Sequence, residues 1–256
     1  MLVRVPAFAV VSANPWVSAQ PFGSYLMAFY CASFALCISL LASQFVFRYF
    51  LICRSNSPLI VDHRKYFLLF IPCILCYTAW ILLMLIPLTT DSEKIEYLKE
   101  IMKIEYDMDS SKVPFVSNMF WSILPSGEKT WNIDSFIGTF GCNVIIGLCF
   151  MTIIICGWKI WKGTNECHWK SEKTKRMSRQ LFQTLVAQTI FPFFLMYIPV
   201  GTVITCPLLS LDLNSVASYS GTSIVFYQVF EPLIAIFGIA SFRNAMICEL
   251  SYVIII

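Results

Sequence analysis

Charge is what this chain has least of. Only 13% of its 256 residues are Asp, Glu, Lys or Arg, about half the roughly 25% carried by a water-facing globular domain. A single soluble domain is therefore excluded. A hydrophobic content of 58% excludes a disordered or fibrous chain as well. Histidine is scarcer still. The two present, His63 and His168, each fall alone in a predicted loop, so no histidine-based metal centre is expected. Gly-rich phosphate loops, Gly-x-Ser-x-Gly and His-Glu-x-x-His are missing, and with them the usual marks of nucleotide, serine-hydrolase and zinc-peptidase chemistry. Neither an enzyme activity, a cofactor nor a nucleic-acid partner is expected. Residues 89–135 contain no cysteine, so a disulfide cannot tie that segment to a neighbouring span.

What is present is apolar length. No charge lies between Arg4 and Arg48, Lys65 and Asp91, Asp134 and Lys159, or Arg179 and Asp212, and the stretch from Asp212 to Arg243 is broken once, by Glu231. A helix needs roughly 20 apolar residues to cross a hydrocarbon core of about 30 Å. The runs predict five spans, at about 22–49, 66–88, 136–158, 181–206 and 219–241. They lack the alternation of a membrane barrel strand. The expected fold is an all-α integral membrane bundle forming one domain over residues 1–256.

Charge in the connecting segments sets an orientation, because short cytoplasmic loops collect Lys and Arg. Residues 159–180 carry seven basic side chains against two acids, whereas the segment 89–135 carries nine acids against five lysines. The first is expected inside and the second outside. With five spans the tail 242–256 is then cytoplasmic. Residues 1–21 are open to two readings, an extracellular segment or the tail of a preceding helix; a signal peptide fits poorly, since Pro6 interrupts the short apolar run.

Several residues stand out. Glu231 is the one ionisable group inside a span. It precedes Arg243 by 12 residues, roughly 18 Å at 1.5 Å per residue, which is mid-membrane. An intramembrane carboxyl faces a bundle interior and acts as a switch or as helix glue, and Pro232 beside it weakens the helix locally. Pro192 and Pro199 stand two turns apart on nearly one face of the fourth span, so that helix is expected to bend and pivot there. Arg48-Tyr49 closes the first span, where an Arg either snorkels to lipid phosphate or meets a cytoplasmic partner. The basic stretch around Lys173, Lys175, Arg176 and Arg179 is expected to extend the fourth helix past the membrane, as a docking face or an attraction to anionic lipid. Ile95, Leu98, Ile101, Met102 and Ile104 predict a short amphipathic helix within Glu93–Glu105. Cys73 and Cys76 lie mid-span and are read as packing residues.

These residues resemble a known family, the nematode serpentine chemoreceptors of the Str group, which are seven-transmembrane G-protein-coupled receptors. The run Phe45-Val46-Phe47-Arg48-Tyr49-Phe50 resembles the inner end of that family's third helix. Ser171-Glu172-Lys173-Thr174-Lys175, Arg179-Gln180-Leu181-Phe182, Leu185, Gln188-Thr189, Pro192 and Met196-Tyr197-Ile198-Pro199 resemble its sixth helix. Glu231-Pro232-Leu233-Ile234 with Phe242-Arg243-Asn244-Ala245 resembles its seventh, where the family usually has Asp-Pro. The same region is similar to the Asn/Asp-Pro-x-x-Tyr pattern of rhodopsin-like receptors, with Ala235 in place of the Tyr. The resemblance maps the five spans to helices three to seven, with residues 1–21 at the remnant of helix two, so the first two helices are expected to be missing from the chain.

The resemblance implies a chemosensory (odorant) receptor in the plasma membrane, in the cilia of sensory neurons. Its partners would be an odorant-like small molecule, a heterotrimeric G-protein α subunit, membrane lipid and a possible receptor dimer. Arg48, Tyr49, Lys173, Lys175, Arg176 and Arg179 would form the coupling face. Glu231, Pro232, Pro192, Pro199 and Gln188 would form the switch. Tyr30, Phe34, Tyr219 and Phe226 would line the ligand pocket, with no metal. A transporter or channel subunit, or a truncated receptor acting as a dimerising scaffold, are the other readings.

Overall fold

Apolar runs too long for a soluble domain become the long helices. The computed structural model of the chain describes residues 2–4, 7–11, 22–54, 57–88, 92–106, 115–123, 128–166, 172–209 and 214–238. Helix α1 is Phe22–Cys53, α2 the short Pro58–Val61, and α3 Ile71–Leu85, led in by a 3-10 turn His63–Leu69. Helix α4 is Ser92–Tyr106, α5 Ile133–Glu166 and α6 Glu172–Pro192. A π-helical turn, Phe193–Tyr197, joins α6 to α7, Ile198–Thr205, and α8 is Asn214–Gly238. Among the described residues four helical stretches, Phe22–Cys53, Arg64–Leu85, Ile133–Asn165 and Glu172–Leu209, are long and apolar enough to cross a bilayer. The expected span 219–241 falls on α8 as far as Gly238, and residues 239–241 lie outside the described residues. The first, third and fourth of these helices run past their expected inner ends, because Tyr49, Trp158 and Leu181 mark the edge of the apolar core rather than the end of the helix.

Local chemistry sets several boundaries. Asn132 caps α5, its Oδ1 accepting from the Ser135 N–H at 3.2 Å, and Asp134 adds an acid in the first turn. Asp62 caps the turn before α3, accepting from the Arg64 N–H at 3.1 Å. Within the apolar spans, hydroxyls bond back to the preceding turn, as Thr152 does to the Leu148 carbonyl at 2.8 Å and Thr189 to that of Leu185 at 2.9 Å. That satisfies groups no lipid tail can satisfy.

Helix α1 is the axis of the bundle and packs against α3 and α5. Its inward stripe is small: Ala28, Ala32, Ala35, Ser39 and Ala42 are all buried and recur at alternating steps of four and three residues. Lipid tails are as apolar as leucine, so helix association in a membrane rests on close van der Waals packing, which small residues permit. The α3–α5 contact uses the same device. A Cβ at Gly138 would lie 2.6 Å from Leu88 Cγ, and one at Gly141 2.9 Å from Leu83 Cδ1. The core has two stacked layers. One gathers Met27, Ala32, Ala35, Trp80, Met84 and Cys142; the other gathers Ile38, Phe45, Cys149, Ile153, Leu185, Met196 and Tyr197. The opposite faces of α3 and α5 are bare hydrocarbon, with Leu75, Phe140, Leu148 and Ile154 each more than half exposed, as lipid contact requires.

The expectation of a purely helical chain needs one addition. Strands β1 (Leu2–Arg4), β2 (Ala7–Val11) and β3 (Phe115–Met119) form an antiparallel sheet in that order, and β4 (Trp121–Ile123) pairs with β5 (Lys129–Trp131). Residues 2–4 and 7–11 are therefore strand and not the tail of a helix. Val3, Val10 and Val11 favour that conformation, and β3 supplies the partner, with Ala7 opposite Met119 and Val11 opposite Phe115. The sheet lies across one end of the bundle. Val116 joins the α1–α3–α5 core on one face, while Ala9 and Phe115 meet Leu98 and Met102 of α4 on the other. The amphipathic helix expected within Glu93–Glu105 is thus present as α4.

Candidate functional site

The end of the bundle away from the sheet holds the basic residues. Arg48 and Tyr49 are consecutive, so they point about 100° apart. Tyr49 turns to α5, where Lys159 Nζ lies 5.3 Å from its ring centre. Arg48 turns the other way, into a cavity of about 530 Å³ between α1, the start of α3 and α6, shared with Gln44, Tyr66, Leu181, Thr184 and Gln188. Among the described residues no acid lines that cavity. The fold therefore brings Arg48 and Gln188 to one chamber from elements more than a hundred residues apart. Lys173, Arg176 and Arg179 are exposed along the first turns of α6, and Lys175 lies 4.0 Å from Glu172. These four form a basic helical extension beside the cavity rather than its wall. A second cavity, about 440 Å³, lies between α1, α3 and α5, lined by Ser39, Cys73, Cys76, Leu148, Cys149 and Thr152, with no charged residue among those described. Cys73 and Cys76 are part of packed walls, and among the described residues no group of His, Cys, Asp or Glu is placed to hold a metal.

The residues expected to bend the fourth span flank its irregular turn. Pro192 is the last residue of α6 and is buried; Pro199 is the second residue of α7. Between them the ladder slips by one residue, the Ile198 N–H donating to the Phe193 carbonyl. Proline has no N–H, so the Gln188 and Leu195 carbonyls lose their usual donors, and a widened turn relieves the strain. Tyr197, on this turn and 7% exposed, sets its ring edge-on to Phe34 of α1 at 4.8 Å and to Phe150 of α5 at 5.2 Å. Phe34 continues to Trp80 at 6.4 Å and Phe150 to Phe193 at 5.2 Å. A chain of aromatic rings thus ties the irregular turn to α1, α3 and α5.

The four expected pocket residues lie in different surroundings. Phe34 lies inside, but Tyr30, Tyr219 and Phe226 are 58%, 74% and 55% exposed, so the four are not brought together. The reason is angular: Tyr30 stands two residues from both Ala28 and Ala32, roughly 200° from the inward stripe. Trp80 on α3 and Tyr197 on the π-helical turn pack against Phe34 in the interior. Their signal in the sequence is an aromatic within each of these apolar runs. Pro232 is exposed on α8. Glu231 stands on α8, and its side chain is not among those described.

At the sheet end, Asn118 on β3 is fully buried. Its Nδ2 donates to Thr139 Oγ1 and lies 3.4 Å from the Ser135 carbonyl, which bolts the sheet to α5.

The described residues form a helical membrane bundle with one basic end and one end covered by a sheet. Comparison with known proteins makes this specific. The family described as serpentine type 7TM GPCR chemoreceptor Str matches residues 2–247, and the chain belongs to that family. It is similar to serpentine receptor class r-10 of Caenorhabditis elegans, at 26% identity over 96% of this chain and 73% of the relative. The protein of that name from Caenorhabditis briggsae is 26% identical over 96% of this chain and 72% of its own length. G-protein coupled receptor str-217 of C. elegans is 24% identical over 85% and 63%. No solved structure matches the chain. The family is one of receptors and not a class of enzyme, and the chain is a multi-pass membrane protein.

Proposed function

We propose that the chain is a chemosensory receptor that takes up a small, largely apolar, odorant-like ligand between its helices and signals to a heterotrimeric G-protein α subunit at its basic end. The observation that carries this reading is the π-helical turn between Pro192 and Pro199, with Tyr197 seated between Phe34 and Phe150. A ligand changes signalling only by favouring one of two packings. An α6 weakened on one side and keyed into the core by one ring has two such packings close in energy. Movement of its basic extension widens the Arg48 cavity, and an α-subunit helix enters there. In this reading the sheet end is extracellular, the C-terminus is cytoplasmic, and the receptor sits in the plasma membrane of sensory cilia. Glu231 and Pro232 bias the packing of α8 against α6.

The test is a cell-based G-protein assay on the chain at matched surface expression. Arg48→Ala and a Lys173/Lys175/Arg176 alanine triple are expected to lower ligand-dependent signalling at least about tenfold, the loss of one or two charge-assisted contacts. Undiminished signalling in both would refute the coupling face.

A further inference from the structure

The cavity at the basic end carries chemistry that G-protein coupling does not call for. Its α1 wall reads along one helical face: Arg48, Gln44 and Leu40 all line it, at steps of four residues or roughly 6 Å. From the end of the bundle inward the order is guanidinium, primary amide, alkyl. Gln188 adds a second amide from α6, and Leu51, Phe70, Leu181 and Leu185 make the remaining wall hydrocarbon. No ion pair or hydrogen bond engages Arg48 among the described residues, and Arg54, Arg64 and Lys65 flank the same end in sequence. The cavity is partly open, and its volume of about 530 Å³ falls within the roughly 300–1,000 Å³ of sites that hold small organic molecules.

We propose that this cavity binds one anionic phospholipid. Phosphate sits against the Arg48 guanidinium, which matches its geometry through paired N–H donors. The ester carbonyls, next along the lipid, accept from the Gln44 and Gln188 amides. One acyl chain runs on along Leu40 and Leu185, while the rest of the molecule stays in the bilayer through the open side. Phosphate, ester and alkyl follow one another in a phospholipid in the order in which guanidinium, amide and alkyl follow one another on α1. The cytoplasmic leaflet, which the basic loops face by their charge, is the anionic one. The neighbouring cavity of about 440 Å³, with Leu148 and Thr152 but no charge in its wall among the described residues, is expected to have no such preference. The site stands independently of G-protein coupling, and its test needs no G protein.

The 256-residue chain is reconstituted in phosphatidylcholine vesicles containing a trace of phosphatidylglycerol with a photo-activated diazirine on its acyl chain, or the same label on phosphatidylcholine. Labelled peptides are mapped by mass spectrometry. Phosphatidylglycerol is expected to label residues 181–188 about fivefold more than phosphatidylcholine, the factor that one basic side chain gives anionic lipid. Residues 148–152 are expected to take both lipids equally. Arg48→Gln should bring the phosphatidylglycerol signal at 181–188 down to the phosphatidylcholine level and leave 148–152 unchanged, which controls for an intact bundle; Arg48→Lys should keep most of the preference. Equal labelling by the two lipids, or a preference that survives Arg48→Gln, overturns the proposal. So does competition by excess soluble glycerol phosphate, which would assign the cavity to a free phosphate. No label from either lipid at 181–188, with 148–152 labelled as expected, would overturn it as well.

Discussion

Arg48 and Tyr49 show how much a single peptide bond decides in a helix. The pair was readable as the inner end of a span, since it closes an uncharged run that begins after Arg4. Its division of labour was not. Arg48 enters the cavity and Tyr49 holds Lys159 against α5, and which of two neighbours faces which helix depends on partners that arrive much later in the chain. The same limit explains the pocket. Aromatic content pointed to Tyr30, Phe34, Tyr219 and Phe226 alike, and on α1 only the position of the Ala28–Ala42 stripe separates Phe34 from Tyr30. That stripe gives a direct prediction. Ala35→Leu should cost about 1–3 kcal/mol through overpacking, read as a lower thermal midpoint of the purified chain in detergent, whereas Leu75→Ala on the lipid-facing side of α3 should change it little. Gly138→Val should behave like Ala35→Leu, because its first added carbon already meets Leu88 at 2.6 Å. For Glu231, Gln is expected to keep surface delivery and response, and Leu to keep delivery but lose response. Equal responses for the two would reduce the carboxyl to helix glue.

Two prolines seven residues apart announce a bend in the fourth span. That the bend takes the form of a π-helical turn was not readable, because it depends on how the orphaned Gln188 and Leu195 carbonyls are relieved and on where Tyr197 finds its partners. Restoring the N–H should therefore act on the element and not on one contact. Pro192→Ala returns a donor to the Gln188 carbonyl and Pro199→Ala one to that of Leu195. Each is expected to stiffen the junction of α6 and α7 and to lower the maximal ligand response severalfold at unchanged surface level. Slower amide exchange across Phe193–Tyr197 in the purified variant is the structural readout. Helix α4 is the converse case. Its 3- and 4-residue apolar spacing predicted it within a residue at each end, since an amphipathic period needs no knowledge of the partner; that the partner is a sheet built from residues 7–11 and 115–119 required the fold.

Topology follows from charge summed over loops, which is why the alternation of spans could be read before any packing was known. The structure places the sheet and α4 at one end of the bundle and the start of α6 at the other. A glycosylation acceptor inserted near Ser110 is expected to be modified in cells and one near Thr164 to stay unmodified; the reverse result would invert the orientation. The sheet has a consequence for how the molecule is made. Ala7 pairs with Met119 and Val11 with Phe115, so β2 leaves the ribosome long before β3 exists. At roughly 5–20 residues per second, about 5–20 s separate the two. Strand β2 has β1 beside it from the start, but its other edge must wait for β3 while α1 and α3 are inserted and α4 is synthesised. A chaperone on the sheet side has that interval in which to hold the first eleven residues, and a protease has the same interval in which to remove them. Once Asn118 reaches Thr139 the lid is fixed to α5, so the moment at which α5 enters the membrane is also the moment at which the beginning of the chain becomes protected.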